Sequence, residues 1–368
     1  MRIAAVELYE ASLRMHEPFV IATMTVDIAR SLFVKIIADD GIFGLGEAQP
    51  YWRIVGETPA TVRETARDFA RLLLGKDPLD IEARLGDLAN SLAGNRTSRS
   101  AFDMALHDLA GKVAGLPLYA LLGGGKRPFT TDRTVGLASP EKMAADAARF
   151  RARGFPAIKI KIGADPTTDV ARVRAVRAAI GAGTALRLDA NQGYDEAAAI
   201  RVLRAVGSAD VEYCEQPVPA WNVAGMARVR AAVPIPINAD EAVFDKHDCF
   251  RVAAAGAADY VNLKLSKTGG VREATAAAAV AEAAGLGLAM GCMTETRLGL
   301  TAAAHVVCAR RAFRFVDLDG ADFLAEDPIV GGMTIDDAGG VSVPDAPGLG
   351  LDLDPAALAR WPKIVVAS

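Results

Sequence analysis

Ala157-Ile158-Lys159-Ile160-Lys161-Ile162-Gly163 reads as a buried β-strand with an unusual second face. Ile158, Ile160 and Ile162 alternate with other residues, and Gly163 closes the run. A strand sends residues i and i+2 to the same side, so Lys159 and Lys161 point together. Two ammonium groups crowded at the end of a core strand repel each other and lose hydration. Both effects favour the neutral amine that a lysine base needs. An edge strand with a solvated lysine face has the same local pattern. The rest of the chain decides between the two.

Polar residues recur around this strand at a coarse period. Thr134, Lys161, Asp189, Glu215, Asp240 and Lys264 each sit at or near the C-terminal end of an expected strand, 27, 28, 26, 25 and 24 residues apart. The expected strands are Thr131–Val135, Ala157–Ile162, Leu186–Asp189, Val211–Glu215, Ile235–Ala239, Tyr260–Lys264, Gly287–Met290 and Phe313–Val316, with helical stretches such as Pro140–Arg153 and Thr167–Ala179 between them. Eight βα units of this size predict a (β/α)₈ barrel, in which polar groups at C-terminal strand ends converge on one mouth. A doubly wound open sheet does not normally gather groups from so many successive strands.

The expected division is an α+β capping domain over residues 1–125, the barrel over 126–320, and a segment over 321–368 that returns to the capping domain. The first part reads as a meander of Ile3–Tyr9, Ser31–Ala38 and Gly41–Glu47, with a hairpin at Asp39-Asp40-Gly41. Residues His16–Asp27 read as a long loop of the kind that forms lids. Helical patterns follow at Thr58–Leu74, Asp80–Leu88, Thr97–Ala114 and Leu118–Leu122.

Composition narrows the function. The 368 residues are 51% hydrophobic and 23% charged, and the net charge of −4 gives no basic footprint for nucleic acid. No run of 18 apolar residues suggests a membrane span. Glu7 interrupts any apolar signal core at the start. Four cysteines far apart and without a Cys-x-x-Cys pair suit reduced thiols in the cytoplasm. The four histidines have no zinc-site spacing.

Asp189, Glu215 and Asp240 would come from three consecutive strands. Three carboxylates at one mouth do not all ionise without a cation, and oxygen-only ligands with open positions suit Mg²⁺. The alternative is that each acid caps the helix after it. Lys161 comes from the second strand and Lys264 from the sixth, across the ring. A substrate between them would have a lysine on each face of a carbon, which suits proton removal on one side and return on the other. Lys267, three residues on, reads as structural.

These residues resemble those of the enolase superfamily, in its muconate-lactonizing-enzyme subgroup: Lys-x-Lys on the second strand, Asp, Glu and Asp on the next three, and Lys on the sixth. The resemblance spans essentially the whole chain. The seventh strand, Gly287–Met290, has no histidine, which argues against the mandelate-racemase-like subgroup. The resemblance implies a modified TIM barrel with a capping domain, one Mg²⁺ per subunit on Asp189, Glu215 and Asp240, and an acid/base pair of Lys161 and Lys264 acting through an enediolate. Asp317-Leu318-Asp319 resembles the Asp-x-Asp with which dipeptide epimerases hold a free α-amino group, and Met293–Gly299 and Thr301–His305 are similar to L-Ala-D/L-Glu epimerases. The implied activity is a dipeptide epimerase that inverts the C-terminal residue. The alternatives are an N-acylamino acid racemase or o-succinylbenzoate synthase, and a non-catalytic ligand-binding barrel. Substrate-binding residues would be Lys159, Thr134, Asp317, Asp319 and Thr294. Met24 stands where a basic residue for glutamate is expected, and Arg53 is the candidate replacement. Barrels of this kind often associate into homo-oligomers, although no apolar patch in the sequence marks an interface.

Overall fold

In the computed structural model, which describes residues 1–367, Gly41 turns the chain with φ +88° and donates its N–H to Ala38 O at 3.0 Å. This closes the expected hairpin between β2 (Met24–Ala38) and β3 (Phe43–Ala48). β1 (Ile3–Ile21) pairs antiparallel with β2. The segment expected to be a loop is instead the outer half of this hairpin. Pairing continues through Phe19–Val26, Val20–Thr25 and Ile21–Met24 to a turn at Ala22 and Thr23. Cross-strand pairs of aromatic and branched residues account for it. The register shifts between Ile3 and Ala5 and again between Arg14 and Phe19, the second time in the stretch that holds Pro18. Proline has no N–H for the ladder and is tolerated at such an irregularity.

Helices α1 (Trp52–Val55), α2 (Pro59–Leu73), α3 (Ile81–Ser91) and α4 (Arg96–Ala114) follow. α4 lies so close on β3 that a Cβ at Gly44 or Gly46 would stand 1.9 or 1.8 Å from Ala105 O or Ala101 O. Between sheet and helices lies a core that includes Val6, Leu8, Val34, Phe69 and Phe102.

The second sheet has eight parallel strands in chain order: Arg133–Val135, Ala157–Lys161, Ala185–Asp189, Val211–Glu215, Ile237–Ala239, Tyr260–Leu263, Gly287–Met290 and Phe313–Val316. It curls until its ends meet, where Asp132 N–H donates to Val316 O at 3.1 Å and Leu318 N–H to Thr131 Oγ1 at 2.8 Å. This is the (β/α)₈ barrel expected from the period. The helices between strands match closely, Pro140–Arg153 without change and Pro166–Ile180 for the expected Thr167–Ala179. Tyr213, Phe315, Ala289 and Tyr260 fill part of the barrel interior. Beyond the barrel the chain returns, and Lys363–Ala367 pairs with β1 at Ala5–Tyr9. No helix among the described residues is long and apolar enough to cross a membrane.

Candidate active site

Strand register brings the acidic residues together. Lys161 lies beside Asp189, Asp189 beside Glu215, and Glu215 beside Asn238, two residues before Asp240. Asp189, Glu215 and Asp240 are fully buried. None of them caps the helix that follows its strand. Those N-caps are Asp195, Asn222 and Asp245, which accept the N–H of Ala198, of Gly225, and of both His247 and Asp248. The helix-capping explanation of the three acids therefore falls.

Lysines surround the acids on two sides. Lys161 Nζ donates to Asp189 Oδ2 at 2.6 Å. Lys159 Nζ donates to Glu215 Oε2 at 3.0 Å and to Asp317 Oδ2 at 2.8 Å, and lies 3.2 Å from Asp189 Oδ2. On the other side Lys264 Nζ is 2.8 Å from Asp240 Oδ2 and 4.0 Å from Glu215 Oε1. Lys267 is fully buried. Its Nζ donates to Asp240 Oδ1 at 2.6 Å, to Asp240 O, and to Asn262 O at 2.9 Å.

The electrostatics reverse one expectation. Burial alone lowers the pKa of Lys159 and Lys264, but carboxylates outweigh it: Asp317, Glu215 and Asp189 around Lys159, and Asp240 and Glu215 around Lys264. Both amines are held well above their ordinary value. Burial raises Asp189 and Asp240, yet the lysines beside each outweigh it and hold both carboxyls low. Glu215 is pushed up to about 8 by burial and then by Asp189. Three buried carboxylates that repel one another, all oxygen donors and none spent on a cap, form a set that fits a hard divalent cation.

A cavity opens above these groups and is bordered by Lys161, Lys264, Asp317, Asp319, Thr134 and Thr294. Asp319 Oδ2 accepts Thr134 N–H at 2.7 Å and lies 3.6 Å from Arg133 Nη1. Ligand atoms of Asp317, Asp319 and Cys292 lie within 4.8 Å of one another. The sequence reading did not place Cys292 here. It also passed over Asn191, which borders the cavity, and Asn262, whose Nδ2 donates to Glu215 Oε1 at 3.0 Å. A larger groove of about 400 Å³ lies outside Phe19 and Phe323 and holds neither Lys161 nor Lys264.

Two residues expected at the substrate lie off the cavity wall. Met24 packs against the core beside the hairpin turn and does not border the cavity. Arg53 is exposed, whereas its neighbour Ile54 borders the cavity. Successive helical residues diverge by about 100°, so α1 turns Arg53 away when it presents Ile54.

Comparison with known proteins agrees with this fold. Residues 3–123 match the family model of the mandelate racemase / muconate lactonizing enzyme N-terminal domain, and residues 142–357 match the enolase C-terminal domain-like model. The chain is 38% identical to an L-Ala-D/L-Glu epimerase of Clostridium acetobutylicum, over 96% of this chain and 99% of that one. A crystal structure of a dipeptide epimerase from Cytophaga hutchinsonii, complexed with Mg and D-Ala-L-Val, superimposes with a TM-score of 0.98 at 37% identity over all of both chains. One from Enterococcus faecalis, complexed with Mg and L-Leu-L-Tyr, gives 0.93 at 36% identity over 96% of this chain and all of that one. The chain thus belongs to the enolase superfamily, in its mandelate racemase and muconate lactonizing enzyme group.

Proposed function

We propose that the protein is a Mg²⁺-dependent dipeptide epimerase that inverts the α-carbon of the C-terminal residue. The observation that carries this reading is the placement of Lys161 and Lys264 on opposite sides of the acid cluster, against Asp189 and Asp240 respectively. Asp189, Glu215 and Asp240 would hold the cation. When bound, it supplies positive charge that stabilises the enediolate formed by loss of the α-proton. Lys161 takes or returns the proton on one face of the carbon, and Lys264 does the same on the other. Lys159, fixed by Glu215 and Asp317, contributes positive charge at the reacting carboxylate. Thr134 orients Asp319, and Asp317 and Asp319 receive the free ammonium group. An N-succinyl substrate would bring a carboxylate or amide to that acidic pair, so the free-amino dipeptide is the better fit. The complexes of the relatives with Mg and dipeptides support the same reading.

The net charge of −4 suits a small-molecule substrate rather than nucleic acid. Four free cysteines suit a reducing compartment, and we place the protein in the cytoplasm.

Incubation of the protein with Mg²⁺ and free-amino dipeptides in D₂O tests the reaction. Deuterium is expected at the α-carbon of the C-terminal residue, followed by the appearance of the other stereoisomer. If no dipeptide takes up deuterium while an N-succinyl amino acid does, the assignment of Asp317 and Asp319 is wrong and the racemase reading replaces it.

A further inference from the structure

The cavity has few charged groups, and the reaction uses all of them. Its cationic side chains are Lys161 and Lys264, and its anionic side chains are Asp317 and Asp319. The remaining wall is mostly apolar. Phe19 and Ile21 come from the tip of the β1–β2 hairpin, Tyr51 and Ile54 from the segment after β3, and Met293 and Phe323 from the barrel loops. Phe19 packs on Phe323 with ring centroids 4.6 Å apart, and its ring centroid is 5.9 Å from Lys161 Nζ. Phe19 thus stands beside one of the two groups that flank the reacting carbon, and Tyr51 and Ile54 share the cavity with the other, Lys264.

The side chain on that carbon has to point away from the buried carboxylates. It meets the wall brought by the hairpin and α1. Neither nearby arginine reaches it. Arg133 Nη1 is bound to Asp322 Oδ2 at 2.8 Å, and Arg53 faces solvent. A glutamate side chain here would leave an unpaired carboxylate against hydrocarbon, which is costly. An epimerase must also hold the side chain of both stereoisomers. Apolar contact is non-directional and serves both, whereas an ion pair would have to form again from a new direction.

We propose that the residue inverted by this protein carries an apolar side chain, in contrast to the glutamate named for the Clostridium acetobutylicum relative. The hairpin-tip residues Phe19 and Ile21, with Tyr51 and Ile54, select it. This rests on the epimerase reading above and narrows it.

The test measures deuterium exchange with Mg²⁺ across L-Ala-L-Xaa, where Xaa is Leu, Val, Phe, Glu or Lys. The best apolar substrate is expected to exceed Glu and Lys in kcat/KM by about tenfold or more. Glu or Lys equal to the best apolar substrate overturns the proposal and leaves the reaction type standing. Exchange in none of the dipeptides overturns the reaction type, and the proposal with it. Ile54→Arg supplies a second reading, with circular dichroism to confirm folding. In the folded variant the Glu-to-Leu ratio of kcat/KM is expected to rise by about tenfold. An unchanged ratio places the inverted side chain elsewhere and overturns the proposal. If the variant does not fold, the wild-type panel alone decides.

Discussion

Asp240 is gripped by two lysines on different faces. Lys264 approaches Oδ2 from the cavity, and Lys267 approaches Oδ1 and the carbonyl from within the fold. Removing them should have different effects. Lys267→Met leaves a buried carboxylate short of a partner, and the expected cost is about 3 kcal/mol. It should also weaken Mg²⁺ binding by roughly 10–100-fold, because the proposed ligand Asp240 loses its brace. Urea unfolding and Mg²⁺ titration read these two effects separately. Lys161→Ala and Lys264→Ala should each lower epimerisation by about 10²–10⁴-fold. Each variant should still exchange deuterium into one stereoisomer of the dipeptide, and the stereoisomer should differ between them. NMR of L-L and L-D substrates distinguishes this from a single-base mechanism, in which one variant keeps full activity.

The strand-end residues were legible in the sequence because two periods coincide there, two residues along a strand and about 26 around the barrel. The same alternation pairs Asn262 with Lys264 and Asn238 with Asp240, so the two asparagines beside Glu215 were within reach of that rule. Lys267 was not. It lies on a single helical turn, Leu265–Thr268, and its direction is set by the packing of that turn against α4. The expectation of a neutral amine, made for the pair Lys159 and Lys161, weighed lysine against lysine and left out the carboxylates that the register brings beside them, which outweigh burial at Lys159.

Among the elements, α4 and the helix Arg297–Ala309 each carry a buried histidine, with opposite consequences. His107 on α4 touches Asp103, whose carboxylate also accepts the N–H groups of Val271 and Arg272 at the start of a barrel helix. Burial lowers the imidazole pKa, but Asp103 outweighs it, and the net shift is upward. The stabilisation is therefore complete below pH 6.5 and is lost as the pH rises through the raised value. His305 is pushed down to about 4 by burial. It accepts Tyr119 N–H at 3.2 Å as the neutral ring. Its contribution is present above pH 6.5 and disappears as the pH falls from 6.5 towards 4, by an amount on the order of 3 kcal/mol. Melting curves should show His107→Gln losing more stability at pH 6 than at pH 9. His305→Phe should flatten the acid limb between pH 6.5 and 4.

The barrel helices Pro140–Arg153 and Pro166–Ile180 were legible to within a residue or so because Ser139 and Asp165 cap them. The hairpin was not legible in its outer half. His16-Glu17-Pro18 reads as loop text, and only the pairing of Phe19–Ile21 with Met24–Val26 overrides it. Met24 and Arg53, neither of which borders the cavity, both lie on segments whose path the barrel period does not reach.

For the whole molecule, the joint between the capping sheet and the barrel rests on Glu47. Its carboxylate, buried on β3, accepts Ser31 Oγ at 2.7 Å, Thr296 Oγ1 at 2.7 Å, and the N–H groups of Thr296 and Gly299 at 3.1 Å. The last two are free donors at the start of the barrel helix Arg297–Ala309, where negative charge is favoured. Two residues along, Gln49 Nε2 donates to Thr294 Oγ1 at 3.2 Å, at the cavity rim. Glu47→Ala should cost about 1–3 kcal/mol by leaving these donors unpaired. Because Tyr51 and Ile54 follow directly, the same variant should raise KM for the dipeptide more than it lowers kcat. Steady-state kinetics that show only a fall in kcat would place the joint outside substrate binding.

The irregularity between Arg14 and Phe19 has a consequence for how this protein can change over time. In an unbroken ladder, an insertion or deletion of one residue flips every later side chain to the other face. Here the ladder is already interrupted, so the inner half of the hairpin, in continuous register from Ala5 to Arg14, is insulated from what happens at the tip. The tip can be shortened, lengthened or rewritten without disturbing the alternation that fills the capping core. Diversification of one end of the hairpin is thereby separated from the folding of the other, and a designer can treat residues 19–26 as an exchangeable cassette.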